Sequence, residues 1–334
     1  MAFEVPLLFI IFSRPDTTRV VFEEIRKLKP RHLLVFCDGP RPGRADDLEK
    51  TQASKAVIES IDWECDLKLN YQTENFGCGM GPKLAIDWLF SMHERGIILE
   101  DDCVASASFF TFCEAMLEKY ADNPRIMHIS GVNFLEGYGN TAQADYYFSK
   151  HQHCWGWATW KRAWDRFDYH MKDYPQFLKN KGFYYVSGRK QIREYWKTMM
   201  DEVFYPDSTD IWDYQWSYAI WKNKALCITP SVNLISNIGF GAGATHTKWE
   251  ADVMNNMPRF ELSFPVRHPH KIQVDKKADL QFNIFYKTYR PKSWGERVTE
   301  FMNLFHPKKN PYSIRIYQNN LRPVLVKLGF KPKD

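Results

Sequence analysis

The stretch Gly96-Ile97-Ile98-Leu99-Glu100-Asp101-Asp102-Cys103-Val104 passes from unbroken aliphatic residues to three consecutive carboxylates. A continuous aliphatic run suits a strand buried on both faces of a parallel sheet, and ligands of open α/β sheets bind just beyond the carboxyl ends of such strands. Three adjacent acids at that position repel one another, and a desolvated carboxylate is costly unless it is paired or bound to a cation. Mg²⁺ and Mn²⁺ accept one or two carboxylates and fill their remaining positions with water and phosphate oxygens. The acids therefore read as a divalent-metal site that holds the diphosphate of a substrate. The plainer reading is a solvated loop whose acids favour the N-terminus of a following helix, near Ser106 to Phe110. The local pattern leaves both open, so the flanking chain has to decide between them.

Upstream, a strand-like run from Val5 to Phe12 leads through Ser13-Arg14-Pro15-Asp16 into a helical pattern with Val20, Val21, Ile25 and Leu28 on one face. Asp16 or Thr17 is its expected cap. His32 to Cys37 forms a second apolar run closed by the turn signal Asp38-Gly39-Pro40, a polar helical stretch spans Arg44 to Ser60, and a third strand is expected at Leu67 to Tyr71. This βαβαβ rhythm predicts a parallel sheet with its ligand loops at one edge. Next comes Asn75-Phe76-Gly77-Cys78-Gly79-Met80-Gly81 before the helix pattern Leu84, Ile86, Trp88, Leu89. Glycines before a helix permit close backbone approach and present amides to an anion, although the spacing is neither GxGxxG nor a Walker loop. A plain glycine-rich turn fits the same residues.

Beyond the acids, a helix is expected from Phe109 to Tyr120 and a strand from Ile126 to Ser130. The loop from Gly131 to Asn140 follows, and the boundary between a nucleotide half and an acceptor half falls about there. The second half is less periodic and rich in tryptophan. Its informative blocks are Cys154-Trp155-Gly156-Trp157-Ala158-Thr159-Trp160 and Ile211-Trp212-Asp213-Tyr214-Gln215-Trp216. In a helix, Trp212 and Trp216 share a face; the plainer reading makes the tryptophans core and places Asp213 in the first turn behind an Asp210 cap. Pro230 to Gly243 reads as loop with a short apolar piece, and His246 follows in an otherwise uncharged glycine-rich loop, where a role on metal or phosphate is open. The end of the chain interleaves Lys308, Lys309, Arg315, Arg322, Lys327, Lys331 and Lys333 with Ile314, Ile316, Leu321, Val324, Leu325 and Leu328. That pattern suits either a basic amphipathic helix on an anionic membrane or a solvated helix that packs one face on the body.

Bulk properties narrow the class. The 334 residues allow one large or two modest domains, and a formal charge of +5 gives no reason to expect nucleic acid as a partner. Twelve Trp, 17 Tyr and 24 Phe supply both core and flat surfaces for sugar rings or bases. Seven scattered cysteines without CxxC pairs suggest neither a disulfide framework nor a zinc ribbon, so a reducing compartment fits. Pro6 to Phe12 is short, lacks a preceding basic residue and has no cleavage site after it, and no later run reaches membrane-spanning length. A cytoplasmic protein, or one peripheral on the inner face of a membrane, is expected.

Taken together, the blocks resemble metal-dependent glycosyltransferases of the GT-A fold, closest in motif style to the Golgi N-acetylglucosaminyltransferase I family and its bacterial relatives. The resemblance rests on FSRPDTTR at Phe12 to Arg19, FCDGP at Phe36 to Pro40, ILEDDC at Ile98 to Cys103, IWDYQW at Ile211 to Trp216 and NIGFGAGATHT at Asn237 to Thr247, with CWGWATW as a feature of bacterial sugar-transferase relatives. It covers about Phe3 to His246. It implies an α/β fold: a GT-A (nucleotide-diphospho-sugar transferase) domain with a mostly parallel central sheet flanked by helices, and a helical C-terminal extension. Residues 1–135 would form the nucleotide-sugar half, 136–270 the acceptor half and 271–334 the basic extension. The resemblance further implies that Arg14 and Asp38 contact the nucleotide, that Glu100 and Asp101 contact ribose or sugar, that Asp102 binds Mn²⁺ or Mg²⁺, and that Asp213 is the catalytic base. The donor would be a UDP-sugar, with UDP-GlcNAc or a related hexose in view. The acceptor would be a glycan or glycolipid of a cell-surface polysaccharide or lipopolysaccharide.

The residue types suit that chemistry. Glycosyl transfer needs a cation against the leaving diphosphate and a base for the acceptor hydroxyl, and a single displacement inverts configuration. Trp155, Trp157, Trp212 or Trp216 would wall the acceptor, and His246 would join the metal or phosphate. Two rivals remain: a nucleotidyltransferase that makes the sugar donor, and a non-catalytic carbohydrate-binding protein of the same fold. Against the first stands the absence of glycine near Ser13-Arg14-Pro15; against the second stand the intact acids and Asp213.

Overall fold

The computed structural model describes residues 3–135, 144–205, 210–240 and 254–289. His246 and the basic segment from Lys308 onward lie outside the described residues. The first four strands are β1 (Leu7–Ile11), β2 (His32–Cys37), β3 (Asp66–Tyr71) and β4 (Arg95–Glu100), joined by helices α1 (Pro15–Leu28), α2 (Ala45–Ile58) and α3 (Gly77–Met92). They pair in parallel in the spatial order β3-β2-β1-β4. The chain therefore winds outward from β1 to β3 and then returns to the other side of β1. The carboxyl ends of β1 and β4 thus meet at a topological switch point, the place where open α/β sheets bind ligands.

The rest of the fold extends that sheet. β5 (Cys103–Ala105) and α4 (Ala107–Lys119) lead to β6 (Ile126–Ser130), β7 (Tyr146–Ser149) and β8 (Trp157–Trp160). Three short helices, α5 (Lys161–Trp164), α6 (Tyr174–Lys179) and α7 (Phe183–Val186), precede α8 (Lys190–Phe204) and α9 (Asp213–Lys222). β9 (Leu226–Pro230), β10 (Ile235–Asn237) and α10 (Lys276–Tyr289) complete the described elements. The eight-stranded sheet runs β3-β2-β1-β4-β8-β6-β9-β7, with β7 and β8 antiparallel to their neighbours, and β10 pairs antiparallel with β5. A mixed α/β architecture around a large, mostly parallel sheet is thus in place. The stretches 1–135 and 136–270 share this one sheet, because β8, β9 and β7 come from the second of them. Residues Met1–Asn283 make one compact unit and Ile284–Asp334 a second.

The aliphatic runs become strands because both faces are covered. Leu7, Phe9 and Ile11 join one core with Val21, Phe22 and Ile25 of α1, Val57 and Ile58 of α2, and the apolar face of α4. Leu8, Leu34, Phe36 and Ile98, on the alternate positions, are buried as well. Truncation at the centre, Phe9→Ala for example, should cost about 3–5 kcal/mol through the cavity it leaves. Pro15 starts α1, where its missing N–H costs nothing. The start of α1 differs from expectation in its cap: no side chain of Asp16 or Thr17 caps it, and the Thr17 and Thr18 hydroxyls instead donate to the Arg14 carbonyl. Val20 stays 47% exposed, since Phe22 takes its expected place in the buried stripe beside Val21 and Ile25.

In the described residues no disulfide forms, and no helix is long and apolar enough to cross a membrane.

Candidate active site

Three loops at the carboxyl edge of the sheet build a cleft of about 200 Å³. The first follows β1. Because Pro15 comes next, Arg14 is held extended, at φ −128° and ψ 70°, which projects it from the strand end rather than into the helix. The second follows β2 and carries Asp38; the third is the acid run after β4. Arg14, Asp38, Glu100 and Asp101 all line the cleft, together with Arg41, Asn75, Gly77, Cys78 and Asp210.

The acids are buried. Asp101 and Asp102 are 2% and 7% exposed. Arg14 bridges them, its Nη2 donating to Asp101 Oδ1 and its Nη1 to Asp102 Oδ2 at 2.8 Å. Asp101 also accepts from the Phe12 amide at 3.0 Å. Among the described residues, the other oxygen of Asp102 accepts only from the Cys103 thiol, at 3.3 Å, a weak donor. Burial works against the Arg14 cation, yet the two aspartates outweigh it and hold the guanidinium above its ordinary value. Burial, and then Asp102, push the Glu100 carboxyl up to about 8. The helix-cap reading of these acids fails. β5 separates them from α4, whose first amides, on Ala107 and Ser108, are bound by Glu261 at 3.2 and 2.8 Å.

The glycine block does present amides to anions, and the anions are side chains of the protein itself. Asp38 accepts from the amides of Gly39, Phe76 and Gly77 and from the Asn75 side chain, at 2.9–3.1 Å. Asp210 accepts from Cys78 at 3.0 Å and Gly79 at 2.6 Å, across 132 residues of sequence in the first case. Gly77 adopts φ +78°, and a Cβ there would lie 2.4 Å from the Asp210 carboxylate. The chain thus caps α3 from two distant loops, and Asp210 is not the cap of α9 that its position suggests. Burial still raises the Asp38 carboxyl; those backbone hydrogen bonds oppose it.

Asp213 opens α9 and is partly buried. The charges of Asp213 and Asp102 both act on Glu100, and those of Asp213, Glu100 and Asp102 all act on the Cys154 thiol, which burial first pushes well above its usual value. The acid run and Asp213 therefore come within electrostatic reach of each other around Cys154. Gln152 fixes the start of α9, donating to the Asp213 carbonyl and the Ser217 hydroxyl, each at 3.1 Å.

The tryptophans require a correction. Trp157 and Trp216 are fully buried and Trp212 nearly so. Trp157 stacks on Trp212 at 5.6 Å and on His128 at 5.0 Å, and Trp216 donates to His128 Nδ1. Their apolar area is spent on one another, which anchors α9 to β8 and leaves no face for an acceptor. Trp155 alone of the four is partly exposed; it packs edge-on against Phe240 and Phe134.

The loop after β10 closes over the acids. The Ile238 amide donates to the Asp102 carbonyl at 2.9 Å, and a Cβ on Gly239 would fall 2.0 Å from Asp102 Oδ2 and 2.5 Å from Arg14 Nη1. Only glycine fits there. Sequence reasoning gives no role at the site to Gly239, Asp210, Gln152 or Cys154: Gly239 and Cys154 sit in blocks the resemblance flagged, Asp210 reads as a cap of α9, and Gln152 carries no local signal.

The Asp101 and Asp102 carboxylates against one guanidinium, with Glu100 beside them, leave the strand end short of positive charge. Among the described residues no three His, Cys, Asp or Glu side chains converge as a ready cage for an ion. This donor set fits a hard cation that takes one or two carboxylates and completes its shell with phosphate and water, and does not fit a closed structural metal site.

No protein-family model matches the sequence, and no curated protein matches it. Among solved structures the chain is similar to UDP-glucose pyrophosphorylase complexed with UDP-glucose (9% identity, 43% of this chain, 62% of that chain, TM-score 0.25). It is also similar to a cytidylyltransferase from Leptospira borgpetersenii serovar Hardjo-bovis (11% identity, 64% of this chain, 80% of that chain, TM-score 0.31). The chain thus spans less than two thirds of the pyrophosphorylase. Both neighbours are nucleotidyltransferases. Likenesses of this size carry no argument about chemistry, and the fold stands on its own strand order.

Proposed function

We propose that the cleft binds a nucleotide-diphospho-sugar and that the protein is a glycosyltransferase of GT-A type. The observation that supports this reading is the acid run at the β4 end, with Asp101 and Asp102 buried and offset by one arginine, and with the charge of Asp213 acting on Glu100. Asp102 would hold Mn²⁺ or Mg²⁺, which supplies charge stabilisation to a leaving diphosphate. Arg14 stays on Asp101 and turns its remaining donors to phosphate. Glu100 and Asp101 face the ribose or sugar, and Asp38 stiffens the turn beneath the base. Asp213 takes the proton of the acceptor hydroxyl, and attack opposite the diphosphate inverts configuration. Trp155 is the aromatic left to meet an acceptor glycan or glycolipid.

Synthesis of a sugar nucleotide is the second reading, since the same acids would serve a pyrophosphate-forming reaction. One feature weighs towards glycosyl transfer: Asp213 supplies a base that nucleotidyl transfer to a sugar phosphate does not need. Incubation with a panel of UDP-sugars and Mn²⁺ separates the two: release of UDP supports glycosyl transfer. Pyrophosphate-dependent breakdown of the UDP-sugar to UTP would replace that reading with nucleotidyl transfer.

A further inference from the structure

We infer that Arg14 is a counter-ion guard, which keeps Asp102 paired until a divalent cation and a phosphate-bearing ligand arrive together, and so makes their binding cooperative. The inference rests on the reading of Asp102 as the cation's ligand.

The geometry gives Arg14 two unequal partners. Asp101 is held a second time by the Phe12 amide, so it is a fixed anchor. Among the described residues, the Asp102 carboxylate has, apart from Arg14, only the Cys103 thiol as a hydrogen-bond donor. The guanidinium can therefore leave Asp102 and remain on Asp101. It lines the cleft with 29% of its side chain exposed, so it has somewhere to go. On one side, Gly239 stands against both Asp102 Oδ2 and Arg14 Nη1, which closes that approach.

Charge then dictates the order of events. A buried carboxylate that loses its only strong partner is costly, so Arg14 does not release Asp102 without a replacement. A cation arriving alone has to settle beside a guanidinium that repels it. A diphosphate arriving alone meets three acids. Arriving together, the cation replaces Arg14 on Asp102 while the phosphate receives the freed Arg14 donors, and every charge is paired. Arg14 thereby adds to the coupling that direct coordination of the diphosphate by the cation already gives, and such coupling is reciprocal.

The test uses the full chain, Mn²⁺ and UDP, with free Mn²⁺ followed by electron paramagnetic resonance. In the wild type, saturating UDP should tighten Mn²⁺ binding by about tenfold or more, within the usual range of such coupling. In Arg14→Gln, Mn²⁺ alone should bind about tenfold tighter than to the wild type, and UDP should tighten it by a clearly smaller factor than it does in the wild type. Melting curves check that the variant is folded. Should it not fold, Arg14→Lys, which keeps one charge but cannot span both acids, should retain part of the coupling. Equal Mn²⁺ affinity in the wild type with and without UDP, or no gain in Arg14→Gln (or an undiminished coupling in Arg14→Lys), would overturn the guard. Asp102→Asn tells the two levels apart. If it binds Mn²⁺ as the wild type does, the cation reading itself fails. If it loses Mn²⁺ while Arg14→Gln behaves as wild type, only the guard fails.

Discussion

Two sets of acids border one cleft and are treated differently by the fold. Asp38 and Asp210 are satisfied by the backbone: four consecutive amides, from Phe76 to Gly79, point at their oxygens. Among the described residues, Glu100, Asp101 and Asp102 have one arginine, one amide and one thiol as hydrogen-bond donors to their carboxyl groups. Fixed amide dipoles finish a carboxylate, which then serves as a strut. A carboxylate run left short of positive charge is poised to accept it from a ligand. The contrast teaches that charge deficit, more than acid count, marks the reactive end of this cleft.

The comparison can be broken by removing members of each set. The largest effect is expected at the deficient set: Asp102→Ala should abolish Mn²⁺-dependent UDP binding, and calorimetry that finds unchanged affinity would remove Asp102 from the site. Asp213→Asn should keep donor binding and slow transfer by roughly 10² to 10⁴, the range for a lost general base, as read from UDP release. A near-normal rate would dismiss Asp213 as the base. The strut set should register in stability instead. Asp38→Ala strands several buried amides and should cost about 2–4 kcal/mol by urea unfolding, with Mn²⁺ affinity little changed.

A third kind of acid sharpens the contrast. Asp279 has Ser149 and the Lys150 amide on one oxygen and, among the described residues, no hydrogen-bond donor on the other. Burial pushes its carboxyl up to about 6. The folded state then holds this proton more tightly than the unfolded chain, whose carboxyl sits near ~3.9. Its contribution to stability is therefore full below about pH 4 and declines as pH rises through about 6. Urea midpoints for Asp279→Asn should be flatter across that window than for the wild type; equal slopes would refute the assignment. The smallest effect belongs to Asp210→Ala. The residue is exposed, so losing its two amides should cost about 1 kcal/mol, as for a helix cap.

Much of the first sheet was legible in the chain. Long aliphatic runs at Leu7, His32 and Arg95, spaced by helical stretches, become the parallel strands because such runs are stable only when both faces are covered. The acid run after Leu99 could be placed at a strand end from local pattern, which by itself left a ligand edge and a helix-capping loop both open. The glycines of Gly77 to Gly81 were also legible as amide donors to an anion. Their partners were not, because the nearest of those carboxylates, Asp38, lies about forty residues upstream and Asp210 comes from far downstream. No periodicity encodes such a meeting.

The tryptophan blocks show the same limit from the other side. Composition identifies large flat side chains; only the packing of β8 against α9 decides that Trp157, Trp212 and Trp216 face one another while Trp155 keeps an open edge. By itself the sequence determined where strands start, where charge accumulates and which residues are able to bind or react, since those properties belong to neighbours along the chain. The tertiary structure alone decided which carboxylates are finished by backbone amides and which are left to a single arginine. Pairing of charge depends on what arrives from elsewhere in the fold.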